Sequence, residues 1–374
     1  MLESDVLSVH RDGKIKIVPN VELRTIDDLR MIYTPGVAIV CEEIKKSFSL
    51  ARKYTATGNT VCIATNGSAV LGLGDIGVLA AMPVMEGKSV ILSKMANVNC
   101  MPILLDQTNA DKIVDALCTI AKTFALIMIE DIKAPLCFEV ERKLQEKVSI
   151  PVFHDDQHGT ATVILAALLK ALQLSTKEKS AVKIVINGAG AAGIATAKML
   201  LEYGFKNIVV CDRSGAIYQA RAENMNVEKK AIAEQTNQAD EKGELANIIK
   251  GKDIFIGLSS RDLVSEEMVH SMNKEPIILA LANPVPEIWP ERALKAGAAI
   301  ALDGRTVNNC LVFPGLIRGT LDAMALEINY AMKFKAAETV ASLAQTKEIV
   351  PDFMDLAVHR KVAAAVKEAA IASQ

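Results

Sequence analysis

The chain has 374 residues, of which 51% are hydrophobic, and its 42 basic and 44 acidic residues give a formal charge of −2. This length predicts two or three domains with sizeable cores. The charge balance argues against a nucleic-acid or membrane-surface partner. Three further features predict a cytoplasmic protein: scattered cysteines without a CxxC pair, a polar N-terminal stretch, and no apolar run near the ~18–20 residues of a membrane span.

In chain order, residues 1–30 are predicted to form an extended arm with polar turns. After it, short apolar runs alternate with helical patterns up to about residue 151. Strands are predicted at 61–64, 90–92, 103–105 and 125–129, and helices at 111–122 and 135–146. This alternation is typical of an α/β fold with a largely parallel sheet.

A glycine-rich segment, Gly72-Leu73-Gly74-Asp75-Ile76-Gly77, follows the first predicted strand. It matches GxGxxG, which alone is a weak signal for dinucleotide binding. Pro83 follows soon after, and no acid stands at the end of a clean βαβ unit. We expect this segment to shape a turn beside the active site, with dinucleotide binding as the less favoured alternative.

Two pairs of acids stand where apolar runs end. Glu130 and Asp131 follow one run, and Asp155 and Asp156 follow the next. Ligands of open α/β sheets gather at the carboxyl ends of strands. Because oxygen ligands favour hard cations, these acids predict a site for Mg²⁺ or Mn²⁺.

Two other interpretations of these acids remain open. Paired acids at loop ends are often simply solvated. His154 and His158 have the i, i+4 spacing of a zinc site, although Gly159 disfavours a regular helix there.

A dinucleotide-binding fingerprint begins after a long apolar helix predicted at 160–174. An apolar run at 182–186 leads into glycines spaced as GxGxxG, and a helical pattern follows. The glycines permit a tight turn, close approach of a pyrophosphate and close packing of helix on strand, while the helix N-terminus favours phosphate. The residues predicted to bind the cofactor here are Gly188, Gly190, Ala191, Ala192 and Gly193. The alternative is the same turn without a ligand.

An acid ends the next strand, as the fingerprint requires. Asp212 stands where a carboxylate would hold the adenosine ribose and repel a 2′-phosphate, which predicts NAD. Arg213, directly after it, weakens that preference. Further strands are predicted at 253–256, 277–280 and 298–302. After Gly315 the sequence pattern predicts helices up to the last residues, and we expect those helices to pack back on the first domain.

Over nearly its whole length the chain resembles the short-form malic enzymes. The matching segments follow the family order: YTPGVA from Tyr33, TNGSAVLGLGDIG from Thr65, MPVMEGK from Met82, IEDI from Ile129, PVFHDDQHGTA from Pro151, NGAGAAG, LANPVPE from Leu281, and VNNCLVFPG from Val307.

The resemblance implies an N-terminal α/β domain for substrate and metal over 1–158 and a Rossmann domain with C-terminal helices over 159–374. It implies oxidative decarboxylation of malate to pyruvate and CO₂ with NAD, by a homodimer. It assigns the residues as follows: Tyr33 as general acid, Lys88 as general base, Glu130, Asp131 and Asp156 as metal ligands, Asp155 as a supporting acid, and Asn283 and Asn309 as substrate contacts.

Two departures from the family pattern are visible. Ala69 stands where larger members carry an arginine, so another group must neutralise the substrate carboxylates. The loop between Asp303 and Asn308 is shorter than expected. Two rival functions remain: an oxaloacetate decarboxylase on the same scaffold, and a non-catalytic nucleotide sensor.

Overall fold

The computed structural model describes residues 2–70 and 72–373 and contains two parallel-type sheets. The strands of the first sheet are β1 Thr60–Thr65, β2 Asn99–Leu104, β3 Leu126–Ile129 and β4 Val152–His154, in the order β2-β1-β3-β4. The strands of the second are β5 Lys183–Asn187, β6 Asn207–Asp212, β7 Gly215–Ala216, β8 Ile254–Gly257, β9 Ile277–Ala280 and β10 Ile300–Asp303, in the order β10-β9-β8-β5-β6-β7. The helices of the first half are α1 Glu3–His10, α2 Ile26–Ile32, α3 Val37–Lys46, α4 Ala51–Tyr54, α5 Val78–Ala96, α6 Ala110–Ile120 and α7 Leu136–Lys147. Those of the second half are α8 Thr160–Gln173, α9 Ala191–Glu202, α10 Val227–Ala233, α11 Leu245–Ile248, α12 Glu266–His270, α13 Pro290–Lys295, α14 Phe313–Asp322, α15 Tyr330–Leu343 and α16 Leu356–Ala372.

The first sheet is parallel throughout. Its inner strands β1 and β3 are buried at every residue, which suits the continuous apolar runs that form them. Because all four strands point the same way, their carboxyl ends meet at one edge, where the acids after β3 and β4 come together.

The second sheet is parallel apart from the short β7, which pairs antiparallel with β6. Strand β5 lies near the centre of this sheet, and the glycine-rich turn joins its end to α9. Strand β6, the neighbour of β5, ends on Asp212. The predicted α/β fold with a Rossmann-type second half is confirmed.

One apolar core joins the two sheets. It contains Ile63 from β1 and Ile186 from β5, with α8 and α14 contributing Ile164 and Leu316. Helices α14 and α16 pack against α5, so the last helices return to the first half of the chain as predicted. No helix among the described residues is long and apolar enough to cross a membrane.

Two predictions of local structure were wrong. Residues 90–92 lie inside α5 rather than in a strand, because a three-residue apolar run has no period that separates strand from helix. The arm is not wholly extended, since it contains α1 and α2, the latter begun by a capping box at Thr25.

In the structure the N-terminal arm extends beyond the predicted residues 1–30 to residue 59, and its residues 2–59 include no buried one. More than half of the exposed large hydrophobic side chains of the described chain lie on it, including Ile17 (91% exposed) and Phe48 (79% exposed). It touches α5 through Lys14, whose ammonium donates to the carbonyl of Pro83 at 2.6 Å.

Candidate active site

The predicted metal ligands come together at the carboxyl edge of the first sheet. One carboxylate oxygen from each of Glu130, Asp131 and Asp156 lies within 4.8 Å of the others. Glu130 and Asp131 directly follow β3, and Asp131 turns there with φ +53°, a left-handed conformation that aspartate tolerates. Asp156 lies in a π-helical turn, Asp155–Gly159, that follows β4.

Oxygens of this cluster are left without a partner, which fits a cation. Glu130 Oε2 and Asp131 Oδ2 are buried and have no hydrogen-bond partner among the described residues. Burial and the charge of Asp156 raise the pKa of Asp131 to about 7. Burial, opposed by Lys88 and reinforced by Asp156, raises the pKa of Glu130 well above its usual value. A hard divalent cation would satisfy these oxygens and remove the repulsion.

Lys88 is the cationic side chain set among these acids. It extends from α5, and its ammonium contacts the Asp155 carboxylate, lies 2.8 Å from Glu130 Oε1 and sits 4.8 Å above the ring of Phe313. The side chain is 13% exposed. Burial acts to lower the pKa of Lys88, but the surrounding acids, led by Asp155, outweigh it and raise that pKa well above the usual value.

Asp155 orders the residues around Lys88 rather than joining the metal group. Its Oδ2 accepts from Asn309 Nδ2 at 2.5 Å as well as from Lys88. A Cβ at Gly159 would lie 1.9 Å from Asp155 Oδ1, so only glycine fits there. The hydrogen bond to Asp155 places Asn309 at the site, although the loop before Asn309 is short.

The loop after β1 closes one side of the cluster. The backbone N–H of Ala69 donates to the Asp131 carbonyl at 3.0 Å, and Ser68 Oγ accepts from the Lys133 N–H at 3.0 Å. Gly72, Gly74 and Gly77 all have positive φ. The segment that imitates a dinucleotide fingerprint is thus a turn beside the acids.

Two predicted residues make no hydrogen bond to this cluster within the described chain. Tyr33 follows α2 on the arm and is 65% exposed, and its hydroxyl has no hydrogen-bond partner in the described part of the chain. Asn283 precedes a cis proline, and its Nδ2 donates to the Leu281 carbonyl at 3.2 Å. It lies against Gly304 and the loop at Gly72.

The zinc alternative has no support from the geometry. Both ring nitrogens of His158 are engaged, one 2.8 Å from Glu141 and the other 3.1 Å from Lys333. His154 is wholly buried. Within the described chain, the acid triad is the group whose atoms could converge on one ion.

The dinucleotide turn has the geometry that its glycines predict. A Cβ at Gly188 would lie 2.4 Å from the Leu258 carbonyl oxygen, and one at Gly193 would lie 1.8 Å from the Gly188 carbonyl oxygen. The space beside Gly190 is open. Ala191 and Ala192 begin α9, so their backbone N–H groups stand at its N-terminus.

Asp212 lies at the same end of the sheet but is already paired. Arg221 Nη2 donates to both of its oxygens at 2.7 and 2.8 Å, and Lys229 Nζ donates to Oδ2 at 2.6 Å. Although burial opposes them, these hydrogen bonds hold the pKa of Asp212 below its usual value. The cavity beside it, about 290 Å³, is lined by Gly188, Gly190, Arg213, Asn224 and Lys229 among others.

Comparisons with known proteins point to the same family in both halves of the chain. The family model for the malic enzyme N-terminal domain matches residues 12–111, and that for the malic enzyme NAD binding domain matches residues 157–302. A bifunctional malic/malolactic enzyme of Bacillus subtilis is 46% identical, covering 99% of this chain and 93% of its own. An NAD-dependent malic enzyme of Geobacillus stearothermophilus is 44% identical over 97% of this chain and 77% of its own. The crystal structure of an NAD-dependent malic enzyme from Thermotoga maritima superposes with a TM-score of 0.94 at 41% identity, covering 97% of this chain and 99% of that one.

The chain belongs to the malic enzyme family.

Membership of the family confirms the resemblance seen in the sequence. The sequence did not indicate, however, that Asp212 is paired with Arg221 and Lys229. The sequence pattern identifies the acid at the end of the strand, but its partners lie nine residues further on in a loop and seventeen residues further on in a helix. In the sequence alone, basic residues at such positions cannot be distinguished from ordinary surface charges. A second omission is the set of contacts that holds the Asp155–Gly159 turn, because Lys333 reaches it from 175 residues away.

Proposed function

We propose that this member of the malic enzyme family oxidises (S)-malate to pyruvate and CO₂ with reduction of NAD and a requirement for Mg²⁺ or Mn²⁺. The observation that carries the proposal is the largely buried acid triad with Lys88 among unsatisfied oxygens, in a chain that also has an intact dinucleotide turn. A simple nucleotide sensor has no use for that arrangement.

The chemistry assigns a proton transfer to each of two side chains. When bound, the divalent cation would neutralise Glu130, Asp131 and Asp156 and stabilise the negative charge left as CO₂ departs, while bound NAD would accept the hydride. With fewer negative neighbours, the Lys88 amine takes the proton of the malate C2 hydroxyl. The Tyr33 hydroxyl returns a proton at C3. Asn309 and Asn283 contact the substrate.

The test is the appearance of NADH absorbance with malate, NAD and Mn²⁺, followed beside the consumption of oxaloacetate. Malate oxidation supports the proposal. Decarboxylation of oxaloacetate without malate oxidation would instead favour the rival decarboxylase, and nucleotide binding without either reaction would favour the sensor.

For the cofactor, we propose a modest rather than strict preference for NAD over NADP. Asp212 disfavours a 2′-phosphate, but Arg221 and Lys229 neutralise it and Arg213 adds a further positive charge at the cavity. A free carboxylate would discriminate more strongly than this paired one.

We also propose a homodimer, in which the arm packs on a second copy of the chain. More than half of the exposed large hydrophobic side chains of the described chain lie on the arm, and this concentration supports an interface, whereas isolated exposed ones are normal. Packing of the arm would also move Tyr33 from solvent into an active site.

The unpaired cysteines of the chain are consistent with a cytoplasmic location.

A mixing experiment locates the site that Tyr33 serves. Lys88→Ala and Tyr33→Phe chains are each expected to be impaired. If Tyr33 enters the partner's site, mixed dimers contain one site with both native residues, and activity returns on mixing. If Tyr33 serves its own chain, mixing restores nothing. Sedimentation at several concentrations tests the dimer independently.

A further inference from the structure

A buried chain of polar contacts runs from the C-terminal helices to the turn that carries Asp156. Lys333 of α15 places its ammonium 3.1 Å from His158 Nδ1. His158 Nε2 lies 2.8 Å from Glu141 Oε1, and Gln157 Nε2 donates to Glu141 Oε2 at 2.8 Å. Glu141, Gln157 and Lys333 are each more than nine-tenths buried. The contacts tie α7, the π-helical turn and α15 together.

The donors and acceptors in this chain have a single consistent arrangement. An ammonium group only donates, so His158 Nδ1 is the acceptor and the ring carries its proton on Nε2. That proton is donated to Glu141. Glu141 therefore accepts on both oxygens, which requires an ionised carboxylate. Replacing the oxygen that faces His158 by a donor would break that link, because Nε2 of the ring is itself the donor.

Glu141 thus binds the two residues that directly follow Asp156. A π-helical turn is rare and is found frequently at functional sites, and here Glu141 adds side-chain contacts that hold it. On its other side, Asp156 accepts from the Asp131 N–H at 2.9 Å. The turn is fixed at both ends, once by the strand-end backbone and once by Glu141.

We propose that Glu141 is a positioning residue for the divalent metal site, holding the Asp155–Gly159 turn so that Asp156 faces Glu130 and Asp131, and that Lys333 supports it by orienting His158. The proposal rests on the acid triad being the metal site of the proposed function. Residues that orient metal ligands in this way are typically worth about 10–100-fold in metal affinity or activity.

A purely structural role is the competing explanation. A buried charged network that served only the fold would affect unfolding and every ligand alike when broken. A positioning role affects the metal selectively. NAD binds at the turn after β5, so NAD affinity reports whether the rest of the chain is intact.

The experiment measures Mn²⁺ binding to the full-length chain by the electron paramagnetic resonance signal of free Mn²⁺, with NAD binding measured in parallel. Glu141→Gln keeps the size of the side chain but turns one acceptor into a donor. We expect its Mn²⁺ dissociation constant to rise about 10–100-fold with NAD affinity unchanged. The matched control is Glu139→Gln on the same helix, where the glutamate is half-exposed and pairs with Lys143; it should bind Mn²⁺ like the parent.

A second variant covers the case in which Glu141→Gln does not fold. Lys333→Met removes the far donor and leaves Glu141 in place, and it should weaken Mn²⁺ binding in the same direction by a smaller factor. Parental Mn²⁺ affinity in whichever of these variants is folded overturns the positioning role. Loss of NAD and Mn²⁺ affinity by equal factors also overturns it, in favour of the structural explanation. Failure of the parent chain itself to bind Mn²⁺ would instead refute the metal site on which the proposal rests.

Discussion

The acids that end strands in the two sheets have opposite surroundings. Asp212 is held by Arg221 and Lys229, so its charge is balanced from within the chain. Glu130, Asp131, Asp155 and Asp156 share one close cation, Lys88, and three of their buried oxygens have no partner among the described residues. A strand-end acid that is already paired shapes a pocket, whereas a group with unbalanced charge calls for an ion from outside.

Asp156→Ala gives the largest effect if this comparison is right. Removing one of three ligands should abolish metal-dependent turnover and reduce Mn²⁺ affinity to near nothing, while NAD still binds at the second sheet. Isothermal titration with Mn²⁺ and with NAD measures both. Asp111→Ala, which alters an exposed acid on α6, serves as control. Unchanged Mn²⁺ affinity in Asp156→Ala would remove the metal assignment.

Lys88→Ala should lower kcat for malate oxidation by about 10²–10⁴-fold, the usual worth of a general base. If Lys88 only binds a substrate carboxylate, the loss will instead be seen in KM with kcat preserved. Steady-state kinetics with malate separate the two, and Lys94→Ala, exposed on the same helix, controls for changes in α5. A variant that keeps the parental kcat and the parental loss of activity at low pH would show that lysine is not the base.

Asp212→Asn tests the paired acid of the second sheet. The asparagine can still accept from Arg221 but no longer repels a 2′-phosphate. The ratio of kcat/KM for NAD to that for NADP should narrow by roughly tenfold, since one such contact is worth ~1–3 kcal/mol. A parent enzyme that already prefers NADP would show that the basic residues dominate the pocket.

Lys229→Met should give the smallest effect, in the opposite direction. It removes one of the two cations that balance Asp212, so use of NADP should fall by a few-fold, on the order of 1 kcal/mol, with little change for NAD. The same kinetic ratio measures it. If both cofactors lose equally, Lys229 acts through the shape of the pocket and not through its charge.

The sequence was a good guide wherever function follows strand ends. The acids after β3 and β4 and the turn after β5 could be predicted because parallel strands of one sheet end at one edge. Contacts between distant segments could not. Tyr33 lies on an arm that has no buried residue within the described chain, and Glu141 gains its partners only when α7 and α15 enclose the turn after β4. Neither has a periodic pattern that reveals it.

The apolar core shared by the two sheets has a consequence for heat denaturation. Separate domains usually melt separately, but here Ile63 of the first sheet and Ile186 of the second belong to one continuous core closed by α8 and α14. Neither sheet can lose its packing without exposing the other. Scanning calorimetry should therefore record a single cooperative endotherm, so that the half with the acid triad and the half with the dinucleotide turn lose their structure at the same temperature.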